Sequence, residues 1–334
     1  RLMNSSSPRE SQPLHVVLGA GQIGPLVARR LLDRGLRVRM VRRGRFGAEL
    51  PAGVEGVSAD LTDPAARTAA VRDAAVVYHC MNPIYTTWAK ELLPMTRAVL
   101  DAAAGAGAHL VVLDNLYMYG RAPGGVMREE TPMTPCSRKG ELRARASDEL
   151  TGARARGVVV TIGRASDFIG PGATMAAVFG DRFWPRAFAG KAGEVCGDPD
   201  QPHSYSYVGD VADGLVTLGT DARAANGLWH LPVNAATSSR ELIADVGRAL
   251  GRPLAATRLA PWLLRALGVF SPMLREVAEM AYQWQAPFIL DDSRYRATFG
   301  GGPTPWSEAL PATVAWARSH YAAAAASSPA SAAA

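Results

Sequence analysis

Cysteine and lysine are both scarce in this 334-residue chain, at three copies each. Cys80, Cys136 and Cys196 are odd in number and far apart, which excludes a disulfide framework and a zinc site built from short paired spacings. A reducing cytoplasm is the economical expectation. Lys90, Lys139 and Lys191 are the only lysines, so the net charge of +6 is carried almost wholly by arginine. That charge is mild for the length, and no recognised nucleic-acid motif or aromatic–basic strip accompanies it, so no nucleic-acid partner is expected. No apolar run reaches the length of a membrane span. "RLMNSSSPRE" lacks the apolar centre of a secretory signal.

Apolar residues make up 48% of the chain and charged residues 20%, the balance of an ordinary globule with ample core. Residues 1–13 read as a disordered leader or cloning remnant, and the alanine-rich tail 322–334 as disordered. Between them, short apolar runs alternate with amphipathic stretches. The runs are 14–18, 36–41, 53–59, 75–80, 109–115 and 157–163. Helical periodicity covers 25–35, 64–74, 88–104 and 138–156. Six strands separated by single helices before residue 165 predict an α/β fold, a Rossmann-type doubly wound parallel sheet. Residues 14–165 form the nucleotide-binding part, and the sheet is open to further strands from 204–231. Residues 166–321 form a smaller substrate-binding lobe interleaved with it. Six of the seven tryptophans fall in that second half, where most are expected simply to pack it.

"GAGQIG" (19–24) follows the first strand and opens a helix. Gly19 permits a tight turn, Gly21 a close approach to a pyrophosphate, and Gly24 close packing of helix on strand, with Gln22 and Ile23 between them. The helix N-terminus then faces the phosphates. At the end of the second strand stand Arg42 and Arg43, with no Asp or Glu between residues 34 and 48. Guanidinium suits a 2′-phosphate, which points to NADP(H) rather than NAD.

With these motifs in place the chain resembles the short-chain dehydrogenase/reductase superfamily, in its extended or atypical branch of NAD-dependent epimerase/dehydratases. The likeness covers about residues 14–220. It rests on "SADLTD" (58–63), "VVYHCMNP" (76–83), "NLYMYG" (115–120), "RASDFIGPG" (164–172) and "HSYSYVGDVADGL" (203–215). It implies that Asp60 and Leu61 contact adenine and that Cys80, Met81 and Asn82 line the nicotinamide ribose. It also implies a Ser/Thr–Tyr–Lys catalytic set, but Asn115, Lys139 and Arg143 occupy those three positions.

Losing the tyrosine removes a general acid, a contribution of roughly 10²–10⁴-fold. It leaves hydride transfer intact, since that belongs to the cofactor. Asn115 and Lys139 are candidates to polarise a carbonyl, Lys139 also to hold the ribose, and Tyr117 is the remaining candidate donor. Arg143 reads as reaching the cofactor or pairing with Glu141 or Asp148. Tyr85, Trp88, Tyr117, Phe168, His203 and Tyr205 are expected to surround a ring-bearing small molecule, between the sheet's carboxyl edge and the second lobe. A phenol beside the reacting ketone would deliver its own proton and make the tyrosine dispensable. Within the family the closest likeness is to atypical reductases of aromatic polyketide antibiotics, of the angucyclinone (simocyclinone) type. The resulting expectation is an NADPH-dependent ketoreductase, monomer or dimer, with no metal. The alternatives are a non-catalytic NADP-binding redox sensor and a nucleotide-sugar epimerase or dehydratase.

Overall fold

The computed structural model describes residues 12–174, 177–260 and 271–326, with part of 261–270. Seven parallel strands form the central sheet. They are β1 (Leu14–Leu18), β2 (Arg37–Arg42), β3 (Glu55–Ser58), β4 (Ala74–His79), β5 (His109–Asp114), β6 (Val160–Arg164) and β7 (Leu228–His230). Their spatial order is β7-β6-β5-β4-β1-β2-β3. The chain therefore works outward from β1 to β3, then returns to β4 on the other side. Loops after β1 and β4 diverge there and open a crevice at the strands' carboxyl ends.

The first six strands lie where the apolar runs place them, and the seventh comes from beyond residue 165. Because both faces are covered, the strands are apolar on both. In β1, Val17 joins a core with Val27 and Leu31 of helix α1 (Gly24–Asp33). Val16 and Leu18 point the other way, toward the core that holds Ala70 of α2 (Pro64–Ala70) and Val99, Leu100 and Ala103 of α3 (Trp88–Gly105). The same alternation sends Tyr78 of β4 to the first core and Val77 to the second. Besides α1, the first face is covered by the helix Val208–Thr220, whose Val211, Leu215 and Leu218 all enter that core.

Helix α4 (Arg138–Gly152) is started by Ser137, whose hydroxyl accepts the Gly140 N–H at 3.0 Å. Its buried stripe runs Lys139, Arg143, Ala146, Leu150, at three- and four-residue spacing. Lys139 and Arg143 therefore share the inward face with two apolar residues.

The second lobe is built from short strand pairs, among them Asp167–Ile169 beside Tyr205–Tyr207 and Gly193–Cys196 beside Ala256–Leu259. Its core holds Phe179, Trp184, Leu242, Ile243 and Trp284, with Trp306 and Trp316 packed against it. Trp229 belongs instead to the sheet core, and Trp262 is largely exposed. The last helix runs Trp306–Ala326, so 322–326, expected to be disordered, are helical. Alanine is the strongest helix former, and this run extends a helix already nucleated by packing. Residues 1–11 and 327–334 lie outside the described residues.

Candidate active site

Gly19 adopts φ +109°, and a Cβ there would meet Met81 Cγ at 2.9 Å and Cys80 O at 3.1 Å. Only glycine fits both that backbone and that approach. A Cβ on Gly24 would collide with the Gly19 carbonyl, whereas one on Gly21 would meet nothing within 4 Å. The middle glycine thus faces open space while its neighbours seal the turn onto β1 and β4. Ile23 is buried and caps α1, with Pro25 in the first turn. The side-chain oxygen of Gln22 is buried without a hydrogen-bond partner. An open glycine at a helix N-terminus fits the diphosphate of a dinucleotide.

At the end of β2 the two arginines separate. Arg43 is exposed. Arg42 is taken by Glu49, which lies one residue beyond the acid-free window, and its Nε–H donates to the Arg43 carbonyl at 3.1 Å. The expectation that both arginines face the cofactor without competition is corrected for Arg42: the 43–50 loop folds back, and Glu49 also accepts the Gly47 N–H at 3.0 Å. Nearby, Asp60 accepts from Thr62 N (3.0 Å) and Thr62 Oγ1 (2.9 Å), and Leu61 packs against the sheet. Those bonds, with Arg43 beside it, hold the Asp60 carboxyl below its usual range.

Beyond β4 and β5 an aromatic group gathers at the carboxyl edge. The Tyr85 and Tyr117 hydroxyls are hydrogen-bonded to each other. Trp88 meets Tyr85 edge-on (5.2 Å between centroids) and stacks on Tyr117 (6.0 Å), and its indole N–H donates to the Pro83 carbonyl at 2.8 Å. Burial pushes the Tyr85 phenol up to about 12, and Tyr117 is raised well above its ordinary value by burial, then by Tyr85 and Asp167. Both stay protonated at neutral pH and are weak acids. Asn115 spends its side-chain oxygen on the Tyr117 N–H at 3.1 Å, leaving its amide nitrogen to donate.

Lys139 is 2% exposed and is held by two carboxylates, Glu276 and Glu279, from the helix Pro272–Met280. Its Nζ is 2.9 Å from Glu279, whose other oxygen accepts the Lys139 N–H at 3.1 Å. The ammonium also sits 5.1 Å from the centre of the Tyr85 ring. The lysine expected to serve a ribose or a carbonyl is thus engaged by the second lobe. Arg143 does not pair with Glu141 or Asp148. Its guanidinium is 3.2 Å from Asp114 at the end of β5, donates to Asn82 Oδ1 at 2.6 Å, and lies over Trp88 with Cζ 4.6 Å from the ring centre.

The remaining expected substrate contacts divide. Phe168, like Ala20 and Cys80, is partly buried against the sheet core, and burial pushes the Cys80 thiol up to about 12. His203 is buried between Trp284 (5.0 Å) and Phe288 (5.3 Å), with its ring nitrogens at Asp167 (2.7 Å) and the Gln283 carbonyl (3.3 Å). Tyr205 is buried in the second lobe's core, its hydroxyl bonded to Ser239 at 2.6 Å. The expectation that His203 and Tyr205 line a substrate is corrected: both are consumed by packing and hydrogen bonds inside the lobe.

Sequence reading passed over Asp114, Asp167, Glu276 and Glu279. Asp114 follows the apolar run 110–113, and the two glutamates share a helix face at i, i+3, signals that mark candidates without saying what they meet. Among the described residues no cluster of three metal-ligating side chains occurs, and no helix is long and apolar enough to cross a membrane.

Comparison with solved structures finds the same architecture in other chains. The WbmH enzyme of Bordetella bronchiseptica, solved with NAD+, is 21% identical, with a TM-score of 0.71 over 92% of this chain and 98% of its own. DesIV of Streptomyces venezuelae, a dTDP-glucose 4,6-dehydratase solved with NAD and TYD, is 18% identical, with a TM-score of 0.75 over 92% and 98%. A UDP-glucose 4-epimerase of Thermotoga maritima, solved with UDP-glucose, is 18% identical, with a TM-score of 0.74 over 92% and 99%. Such identities speak for the fold alone. No curated protein matches the chain. The model of the NAD dependent epimerase/dehydratase family matches residues 15–229, well over half of the sequence, and with the glycine turn and the sheet order it shows that the chain belongs to that family.

Proposed function

We propose that this chain is an NADPH-dependent ketoreductase acting on a bulky aromatic, polyketide-like ketone. The observation that carries the reading is the group Tyr85, Trp88 and Tyr117 at the carboxyl edge, beside family catalytic positions filled by ion-paired Lys139 and Arg143. Flat aromatic walls bind a flat aromatic ligand through offset or edge contacts. The bound nicotinamide supplies the hydride. Gly19, Gly21, Gln22, Ile23 and Gly24 hold the diphosphate, Asp60 and Leu61 the adenine side, and Cys80, Met81 and Asn82 the nicotinamide side. Arg43 is the residue for a 2′-phosphate, with Arg42 joining it when Glu49 yields.

The proton comes from the substrate. Tyr85 and Tyr117 are too weakly acidic to be good donors, because a general acid works best with a pKa near the working pH. A phenol adjacent to the ketone passes its proton to the carbonyl oxygen as hydride reaches the carbon, and water later reprotonates the phenolate. Asn115 donates a hydrogen bond to the carbonyl oxygen. The test compares an aryl ketone bearing an adjacent free hydroxyl with its O-methyl ether, following NADPH consumption and binding. The phenol should be reduced and the ether should bind without turnover. Equal rates would place the donor in the protein, and cofactor binding with neither ketone reduced would favour a redox sensor.

A nucleotide-sugar epimerase or dehydratase is the second reading, favoured by the substrates named for the solved relatives. Oxidising a sugar hydroxyl needs a protein base. Here the family's tyrosine position is a lysine held by two glutamates, and the nearby phenols resist ionisation.

A further inference from the structure

We propose that the cavity between the loop 120–125 and the segment 282–288 binds a small planar aromatic carboxylate. The site goes beyond the ketoreductase reading and does not depend on it. The cavity measures about 300 Å³, enough for two fused rings and an acid group. Gly120 ends the turn that follows β5, so the cavity lies at the carboxyl edge of the sheet. Its two walls are tied together just beyond it. Val126 and Met127 pair with Ile289 and Leu290, and the Met127 carbonyl accepts the Asp291 N–H at 2.9 Å.

Glycine keeps the near wall thin. A Cβ on Gly124 would meet nothing within 4 Å, whereas one on Gly120 would collide with the Thr134 carbonyl and one on Gly125 with that of Pro287. All three hold φ between +62° and +75°, where a side chain would also strain the backbone. The far wall is aromatic. Tyr282 and Phe288 are buried and meet edge to face, 6.3 Å between centroids at 78°. A corner of that kind offers a flat ring one stacked and one edge contact.

The charge of the ligand follows from Arg121. It is the one charged side chain in residues 120–126 and 282–288. Its guanidinium stands 5.8 Å from the centre of the Tyr282 ring, and Nη2 donates to the Gln285 side-chain oxygen at 2.8 Å. Among the described residues it meets no carboxylate, so neutral groups alone hold it at the cavity's lip. An exposed arginine is ordinary by itself. Held beside an aromatic corner it selects an anionic ring, because a guanidinium fork takes a carboxylate through two parallel bonds.

The test titrates 2-naphthoate and 2-naphthamide, alike in shape and different in charge, into the full chain by calorimetry without nicotinamide. Naphthoate should bind about fivefold more tightly, the upper worth of a solvent-exposed ion pair, and high salt should narrow the margin. Arg121→Gln should erase that margin and leave naphthamide unchanged; the residue is exposed, so the fold should not notice. Ala286→Trp should fill the cavity and stop both ligands from binding, with an unchanged far-UV spectrum showing that the chain still folds. Equal affinity of the two ligands for the wild type overturns the proposal, as does binding of neither. Naphthoate held as tightly by Arg121→Gln, or undiminished on folded Ala286→Trp, overturns it too. Because neither cofactor nor turnover enters, a chain that binds naphthoate and reduces no ketone keeps this site and loses only the reductase.

Discussion

Lys139 of α4 and Glu279 of the helix Pro272–Met280 are joined twice, through Nζ at 2.9 Å and through the lysine's own backbone N–H at 3.1 Å. This pair, with Glu276, fastens the second lobe to the sheet where related enzymes would keep a catalytic tyrosine. Lys139→Met should therefore act first on stability. Removing one partner of a buried pair costs roughly 3–5 kcal/mol, and about half that is expected here because the glutamates keep some exposure. Adding Glu276→Gln and Glu279→Gln should recover most of the loss in a denaturant titration. An unchanged midpoint with a turnover loss above about 100-fold would instead make Lys139 an acid or electrophile.

Arg43 and Arg42 should behave differently toward cofactor. Arg43→Ala is expected to weaken NADPH by roughly 1.5–3 kcal/mol while leaving NADH unchanged, the worth of a charge-assisted bond. Arg42→Ala should do less, and Glu49→Gln should tighten NADPH by releasing Arg42. Fluorescence titration with both cofactors decides it; equal affinity of the wild type for the two would remove the 2′-phosphate reading.

Tyr85→Phe and Tyr117→Phe each delete one hydroxyl of a hydrogen-bonded pair and leave the ring. With the proton supplied by the substrate, turnover should stay within about an order of magnitude of wild type. A collapse of kcat at unchanged KM for either variant identifies that phenol as the donor. Replacing Trp88 by alanine should instead lower stability, read as a shifted denaturation midpoint, because its indole is almost wholly buried.

Acid should loosen the fold before carboxylates begin to titrate. Burial pulls His15 down to about 4, and His79 and His230 to about 3. These groups bind protons more readily once unfolded, so the stability they contribute is complete above pH 6.5. It falls as the pH drops from there toward their folded values. Each proton taken up on unfolding costs about 1.4 kcal/mol per pH unit. Denaturation at pH 7, 6 and 5 should show a steady fall, smaller in His79→Asn. A flat response down to pH 5 would contradict it.

The strand runs, the four early helices and the glycine turn were legible in the sequence because each is set by local spacing: period two or continuous apolarity for strands, period 3.6 for helices, and glycine where a side chain would collide. The absence of the family's tyrosine and lysine was equally plain. What the chain does with Lys139 and Arg143 was not, because their partners lie far off in sequence, Glu276 and Glu279 for one, Asn82 and Asp114 for the other. A charge on a helix's buried stripe announces that it must be matched, and only the packing of distant elements says by what. The same holds for Glu49, which engages Arg42 from just beyond the acid-free stretch 34–48, and for His203 and Tyr205, drawn into the second lobe's core. Local propensity determined the elements; the competition of buried charges and hydroxyls for partners, settled only once the chain had folded, decided which residues were left free to meet a ligand.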